Sequence, residues 1–209
     1  VMAGFFPVFF KQYWSAGTEA AVSTFQLGLA NGIGSLVIAL LAPLLGAMAD
    51  RGGARVRMMA FFTLLGALMT ALLYQVGQGE WAAAGIIYLL AGIGFSGGVI
   101  FNDALLVDVA EPREYDLVSA FGYSLGYAGG GLLLLVNAAM VASPASFGLA
   151  DAGAAVRIAF PMVAAWWLLF TVPALLWVRE TKPARPLALP AAAATGIRSP
   201  AGACRRRGT

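Results

Sequence analysis

Asn31, Asn102, Asp103, Tyr123 and Asn137 are polar side chains set within long apolar runs, and their types can do chemistry there. A carboxylate at the centre of a bilayer costs about 2.5–3.5 kcal/mol on insertion scales, so its retention calls for a reason. Asp103 can take a coupling proton or a substrate ammonium; the alternative is a structural pairing with Asn102 or a nearby arginine. The amides and the phenol can donate hydrogen bonds to a polar solute. The bland alternative is that buried Asn joins helices, through bonds worth about 0.6 kcal/mol each. A second group is charged: Asp50, Arg51 and Arg55 lie in GAMADRGGARVR, from Gly46 to Arg57, with Gly53 among them and Asp108 further along. Its chemistry is ion pairing at a turn.

Other chemistries lack their residues. The chain has no His and a single Cys, Cys204, which removes the usual general base and the commonest metal ligand. No pairing of nucleophile and base stands out. No G-x-x-x-x-G-K-[ST] run is present, so nucleotide hydrolysis has no P-loop to act through. An enzyme is not expected, nor are a cofactor, a metal or a nucleic-acid partner.

Helices in lipid must position these side chains. With 209 residues, 60% hydrophobic and 11% charged, the chain has too little polar surface to coat a soluble globule of its size. Apolar runs of roughly 20 residues, about 30 Å as helices, recur and match the hydrocarbon thickness. They predict an all-α integral membrane bundle over 1–183, with helices at about 1–13, 22–49, 58–76, 81–109, 117–142 and 158–178. The stretch 143–157 reads as a loop. No basic n-region precedes the apolar Phe5 to Phe10 run, so the first helix is expected to be truncated, with a signal peptide as the alternative. From 184 to 209 the composition turns to Ala, Pro, Gly and Arg, a basic tail expected to be disordered. It is either a plain linker or an anionic-lipid contact through Arg205, Arg206 and Arg207.

Charge sets the orientation. Of the 13 basic residues, only Lys11 and Arg157 fall on one side of the predicted bundle, and the rest fall on the side of the 46–57 hinge and the tail. The positive-inside rule makes that side cytoplasmic. Asp103 lies nine residues from Gly94, the middle of the predicted fourth helix, so ~13 Å toward that side.

The hinge carries a recognisable pattern. Gly46-x-x-x-Asp50-Arg51-Gly52-Gly53-x-Arg55 resembles the signature between helices two and three of the major facilitator superfamily, with Ala54 where a basic residue is more usual. Asp50 sits at a helix C-terminus, where the macrodipole disfavours a carboxylate by ~0.3–1 kcal/mol. Arg51, Arg55 and Asp108 are expected to share a charge cluster with it. The resemblance further implies a latch between Asp50 and a helix start in the other half of the transporter. An ordinary solvated loop, populated with arginines by the positive-inside rule alone, is the alternative.

The run from Ile100 to Ala110, the run from Val118 to Tyr127, Phe9 to Trp14, and Val178-Arg179-Glu180-Thr181 resemble the superfamily branch that includes fungal vacuolar amino-acid effluxers and their bacterial relatives. Gly122, Gly126 and Gly130 share one face of the fifth helix and predict close helix packing. They only partly resemble the glycine motif of superfamily antiporters, since Tyr127 stands in place of its proline, and antiport is not inferred. The resemblance implies six helices forming one half of a twelve-helix transporter in a bacterial inner membrane. Its expected partners are the lipid bilayer, a small polar solute such as an amino acid, and a C-terminal six-helix half. A self-associating six-helix scaffold, or half-transporter without transport activity of its own, stays open as the alternative.

Overall fold

The computed structural model describes residues 2–51 and 53–180, with the side chains of Met2, Ala3, Phe5 and Arg51 outside the description. The basic tail and the disorder expected of it lie outside the described residues.

Each element follows from an apolar run long enough to satisfy its own backbone hydrogen bonds in lipid. Helix α1 (Met2–Phe9) widens into a π-turn at Phe10–Trp14. Then come α2 (Ala20–Arg51), α3 (Arg55–Leu72), α4 (Trp81–Ala104), the single turn α5 (Leu106–Val109), α6 (Tyr115–Ala142) and α7 (Ala152–Trp177). Among the described residues, five helices are long and apolar enough to cross a membrane and no strand occurs.

Several helix boundaries differ from the sequence reading, three of them at informative places. Helix α7 starts at 152, not 158, because the Asp151 carboxylate accepts the Ala154 N–H at 2.7 Å and caps the helix there. Of the two glycines that suggested a loop, Gly148 takes a positive φ of 71° and Gly153 does not. The fourth helix breaks before 109: the Leu105 N–H is shared between the Phe101 and Asn102 carbonyls at 3.2 and 3.1 Å. That bifurcated bond marks a change of pitch, so Asp108 belongs to the separate turn α5. Helix α3 starts at Arg55, not 58, which leaves the hinge a very short turn with Gly53 at φ 79°.

The core has two parts. Away from the hinge, Phe6, Phe9, Phe10 and Trp14 pack with Leu73, Val76, Ala84, Val156 and Phe160. At the hinge side Leu45, Ala49, Met59, Phe101 and Leu105 form a second cluster. Between them α3 and α4 touch backbone to backbone at Gly66 and Gly94, where a Cβ on Gly94 would strike the Gly66 main chain. The expected glycine face of the fifth helix is placed otherwise: a Cβ on Gly122, Gly126 or Gly130 would meet none of the described residues within 4 Å. Spacing identifies a smooth face, but packing angles decide which smooth face is used.

Candidate functional site

The hinge cluster is built by four chain segments converging. Arg55 lies in the first turn of α3, and its Nε donates to the Ala49 carbonyl oxygen at 2.7 Å, bridging back over the turn to α2. Its Nη1 donates to Asp108 Oδ2 at 2.8 Å, and the two side chains are 7% and 0% exposed. Taking both charges out of water is costly, and the fork of the guanidinium offsets this by bonding two elements at once. The break at Leu105 gives Asp108 a turn of its own beside α3.

The fourth segment follows α7. Helix α3 begins after Ala54, which has no side chain able to cap it. Glu180 supplies the missing acceptor: its Oε1 takes the Val56 N–H at 3.0 Å. A carboxylate at a helix N-terminus also suits the macrodipole. The second oxygen, Oε2, is buried without a hydrogen-bond partner among the described residues. Sequence reading used Glu180 only as part of a resemblance; the available signal was a helix start with no Ser, Thr, Asp or Asn to cap it.

The expected charge cluster is therefore rearranged. Arg55 and Asp108 come together, whereas Asp50 is exposed and has no ion-pair partner among the described residues. The Arg51 side chain lies outside them. Gly46 makes no close helix approach among the described residues, since a Cβ there would meet none of them within 4 Å.

The polar residues of the membrane-spanning segments divide in the same way. Tyr123 on α6 donates its hydroxyl to Asp103 Oδ2 on α4 at 3.2 Å. This partner was not foreseen: it is neither Asn102 nor an arginine. Both residues of the pair are exposed, as are Asn102 and Asn31. Asn137 is buried at 1% exposure; its Nδ2 donates to the Leu133 carbonyl at 2.7 Å and its Oδ1 has no partner among the described residues. It lies 14 residues beyond Tyr123, ~21 Å along α6, so it is not part of the Asp103 site.

Two further polar contacts were missed. On the side away from the hinge, Arg157 donates to the Tyr74 carbonyl from Nε at 3.3 Å and Nη2 at 2.8 Å. It lies 5.7 Å from the Tyr13 ring centroid and 5.0 Å from that of Tyr74, within cation–π range. Ser15 Oγ–H donates to the buried Gln26 Oε1 at 2.9 Å. Interface aromatics close to an isolated arginine were the signal for the first; for the second there was none. No group of three or more His, Cys, Asp or Glu able to hold a metal occurs among the described residues.

Comparison with known proteins adds the lineage. The chain matches the family described as vacuole effluxer Atg22 like, over residues 13–114 and 107–204. It is 35% identical over 182 residues to the uncharacterized MFS-type transporter YxiO of Bacillus subtilis (strain 168), covering 86% of this chain and 42% of that protein. It is 33% identical over 88 residues to autophagy-related protein 22-1 of Penicillium rubens, covering 41% of this chain and 14% of that protein. The chain thus spans less than half the length of either relative. No solved structure matches it.

Proposed function

This chain belongs to the vacuole effluxer Atg22-like family, and from that premise we propose that it is the N-terminal half of a secondary transporter exporting a small polar solute by alternating access. The observation that carries the reading is a set of five helices, each long and apolar enough to cross a membrane, in a member of a family described by efflux. One relative is named as an MFS-type transporter. Amino acids are the first solutes to test. The missing partner is a second six-helix half, for which the open glycine face of Gly122, Gly126 and Gly130 on α6 offers a smooth contact.

In this reading the hinge side faces the cytoplasm of a bacterial cell, because most Lys and Arg fall there. The Arg55–Asp108 pair and the Glu180 cap make the hinge a rigid unit, so that it moves as one body during rocking of the halves. Asp50, exposed at the end of α2, meets a helix start in the other half and latches the inner gate. Asp103 handles the coupling proton or a substrate ammonium, with the Tyr123 hydroxyl holding its carboxylate across α4 and α6. Asn31, Asn102 and Asn137 are candidate solute contacts, Asn137 the most constrained of them.

The test is counterflow of labelled amino acids in proteoliposomes containing the full-length parent protein. Exchange that saturates with solute and responds to a pH gradient supports proton-coupled transport. Exchange of amino acids indifferent to a pH gradient removes the coupling role of Asp103, and no exchange of any small polar solute removes the transport reading.

A further inference from the structure

Helix α4 stops short of the apolar run that makes it. The stretch Phe101-Asn102-Asp103-Ala104-Leu105-Leu106-Val107-Asp108-Val109 holds no Gly or Pro, the residues at which helices usually kink. The helix nevertheless ends at Ala104. The Asp108 N–H, which in an unbroken helix would reach the Ala104 carbonyl, donates instead to that of Leu105 at 2.9 Å. A change of pitch inside a helical span often marks a functional hinge.

Asp103 lies in the last turn of α4. The helix end there is equivalent to about half a negative charge, which disfavours a carboxylate and favours a cation. The Tyr123 hydroxyl donates to Asp103 Oδ2 at 3.2 Å, a neutral partner that leaves the charge in place. Among the described residues no lysine or arginine pairs with Asp103, and its Oδ1 has no hydrogen-bond partner. Arg55, the buried arginine of the hinge, is committed to Asp108 and to the Ala49 carbonyl. An exposed carboxylate in a membrane span faces a water-filled cavity or finds a counter-ion.

We infer that Asp103 seats a monovalent metal cation, Na+, in alternation with the proton. One formal charge plus about half a charge from the end of α4 balances a monovalent ion and falls short of a divalent one. Asp103 Oδ1 is the anionic ligand. The Tyr123 hydroxyl oxygen, having given its hydrogen to Oδ2, keeps its lone pairs for the ion, and water from the exposed side completes the shell. Half-helix C-terminal ends within a membrane hold Na+ or protons in this way in other transporter folds. The inference rests on the reading of the chain as half of a transporter, and it makes a Na+ gradient a second energy source for moving the solute.

The test is thermal unfolding of the purified full-length protein in detergent at one fixed, mildly alkaline pH, with KCl replaced stepwise by NaCl so that ionic strength stays constant. The midpoint is expected to rise saturably with Na+, by about 2 °C once the ion exceeds its dissociation constant about tenfold. Asp103→Asn should lose the shift, and Tyr123→Phe should need several-fold more Na+ to reach half of it. Binding of radioactive Na+ to the same samples, weaker in Tyr123→Phe than in the parent, keeps the test decisive where Asp103→Asn fails to fold. Equal midpoints in Na+ and K+ overturn the inference, as does a Na+ shift that Asp103→Asn leaves intact. A shift produced as strongly by methylammonium as by Na+, and lost in Asp103→Asn, marks an ammonium site and overturns it too. None of these readouts needs transport, so absent counterflow removes the transporter reading without touching the Na+ result.

Discussion

Glu180 accepts the backbone N–H of Val56 at 3.0 Å, so a residue 124 positions away in the chain caps the helix that begins at the hinge. The last described residue is thereby tied to the start of α3 at the hinge. Because Ala54 offers no cap of its own, the bond is one that the helix start does not make locally.

Removing that acceptor by Glu180→Ala should destabilise the bundle by about 1 kcal/mol, as loss of a helix cap typically does. Ala54→Ser in the same background should recover part of the loss by restoring a local cap. Thermal unfolding in detergent measures both, and full stability of Glu180→Ala would show that the cap contributes nothing.

Arg55→Met takes away the guanidinium bonded to Asp108 at 2.8 Å, and removing one partner of a buried pair costs about 3–5 kcal/mol. The double variant Arg55→Met with Asp108→Leu removes the buried carboxylate as well and should be more stable than Arg55→Met alone. A double-mutant cycle on the midpoints of unfolding reads this coupling; simple additivity would mean that the two residues act independently.

Gly94→Ala should destabilise by about 1–3 kcal/mol, the usual cost of overpacking, because its Cβ would enter the Gly66 backbone. Gly126→Ala, on the open face of α6, should change the stability of this half by less than about 0.5 kcal/mol. In the full-length protein the ranking tests the proposed contact with a second half: if Gly126 packs there, Gly126→Ala becomes costly too.

Tyr123→Phe removes the hydroxyl bonded to Asp103 while keeping the ring. Since the pair is exposed, stability should change by less than about 1 kcal/mol. Asp103→Asn should abolish the response of transport to a pH gradient, with Tyr123→Phe shifting it more weakly. Flux assays across a series of external pH values separate the two, and an unchanged response in Asp103→Asn would dismiss the carboxylate as a coupling group.

Much of the architecture was legible before any coordinates, because helix formation in lipid is a local matter. Backbone groups must pair within their own segment, so an apolar run of membrane length between polar turns already states its structure. The hinge was equally legible, since Gly53, Arg55 and their neighbours combine a tight turn with charges that are kept out of the lipid. Boundaries were less so where a single residue decided them. Asp151 capped α7 inside what read as a loop, and a shared carbonyl pair at Leu105 ended α4 early.

The sequence by itself determined a membrane-embedded helical bundle, the position of its charged turn, and which polar residues lie within the apolar spans. Only the tertiary structure decided their partners. Arg55 meets Asp108 rather than Asp50, Asp103 meets Tyr123 rather than Asn102, and Gly94 rather than Gly126 admits a neighbouring backbone. The physical reason is that periodicity fixes the face a side chain occupies on its own helix, whereas its partner depends on the crossing angle and register of helices far apart in the chain, which no local pattern encodes.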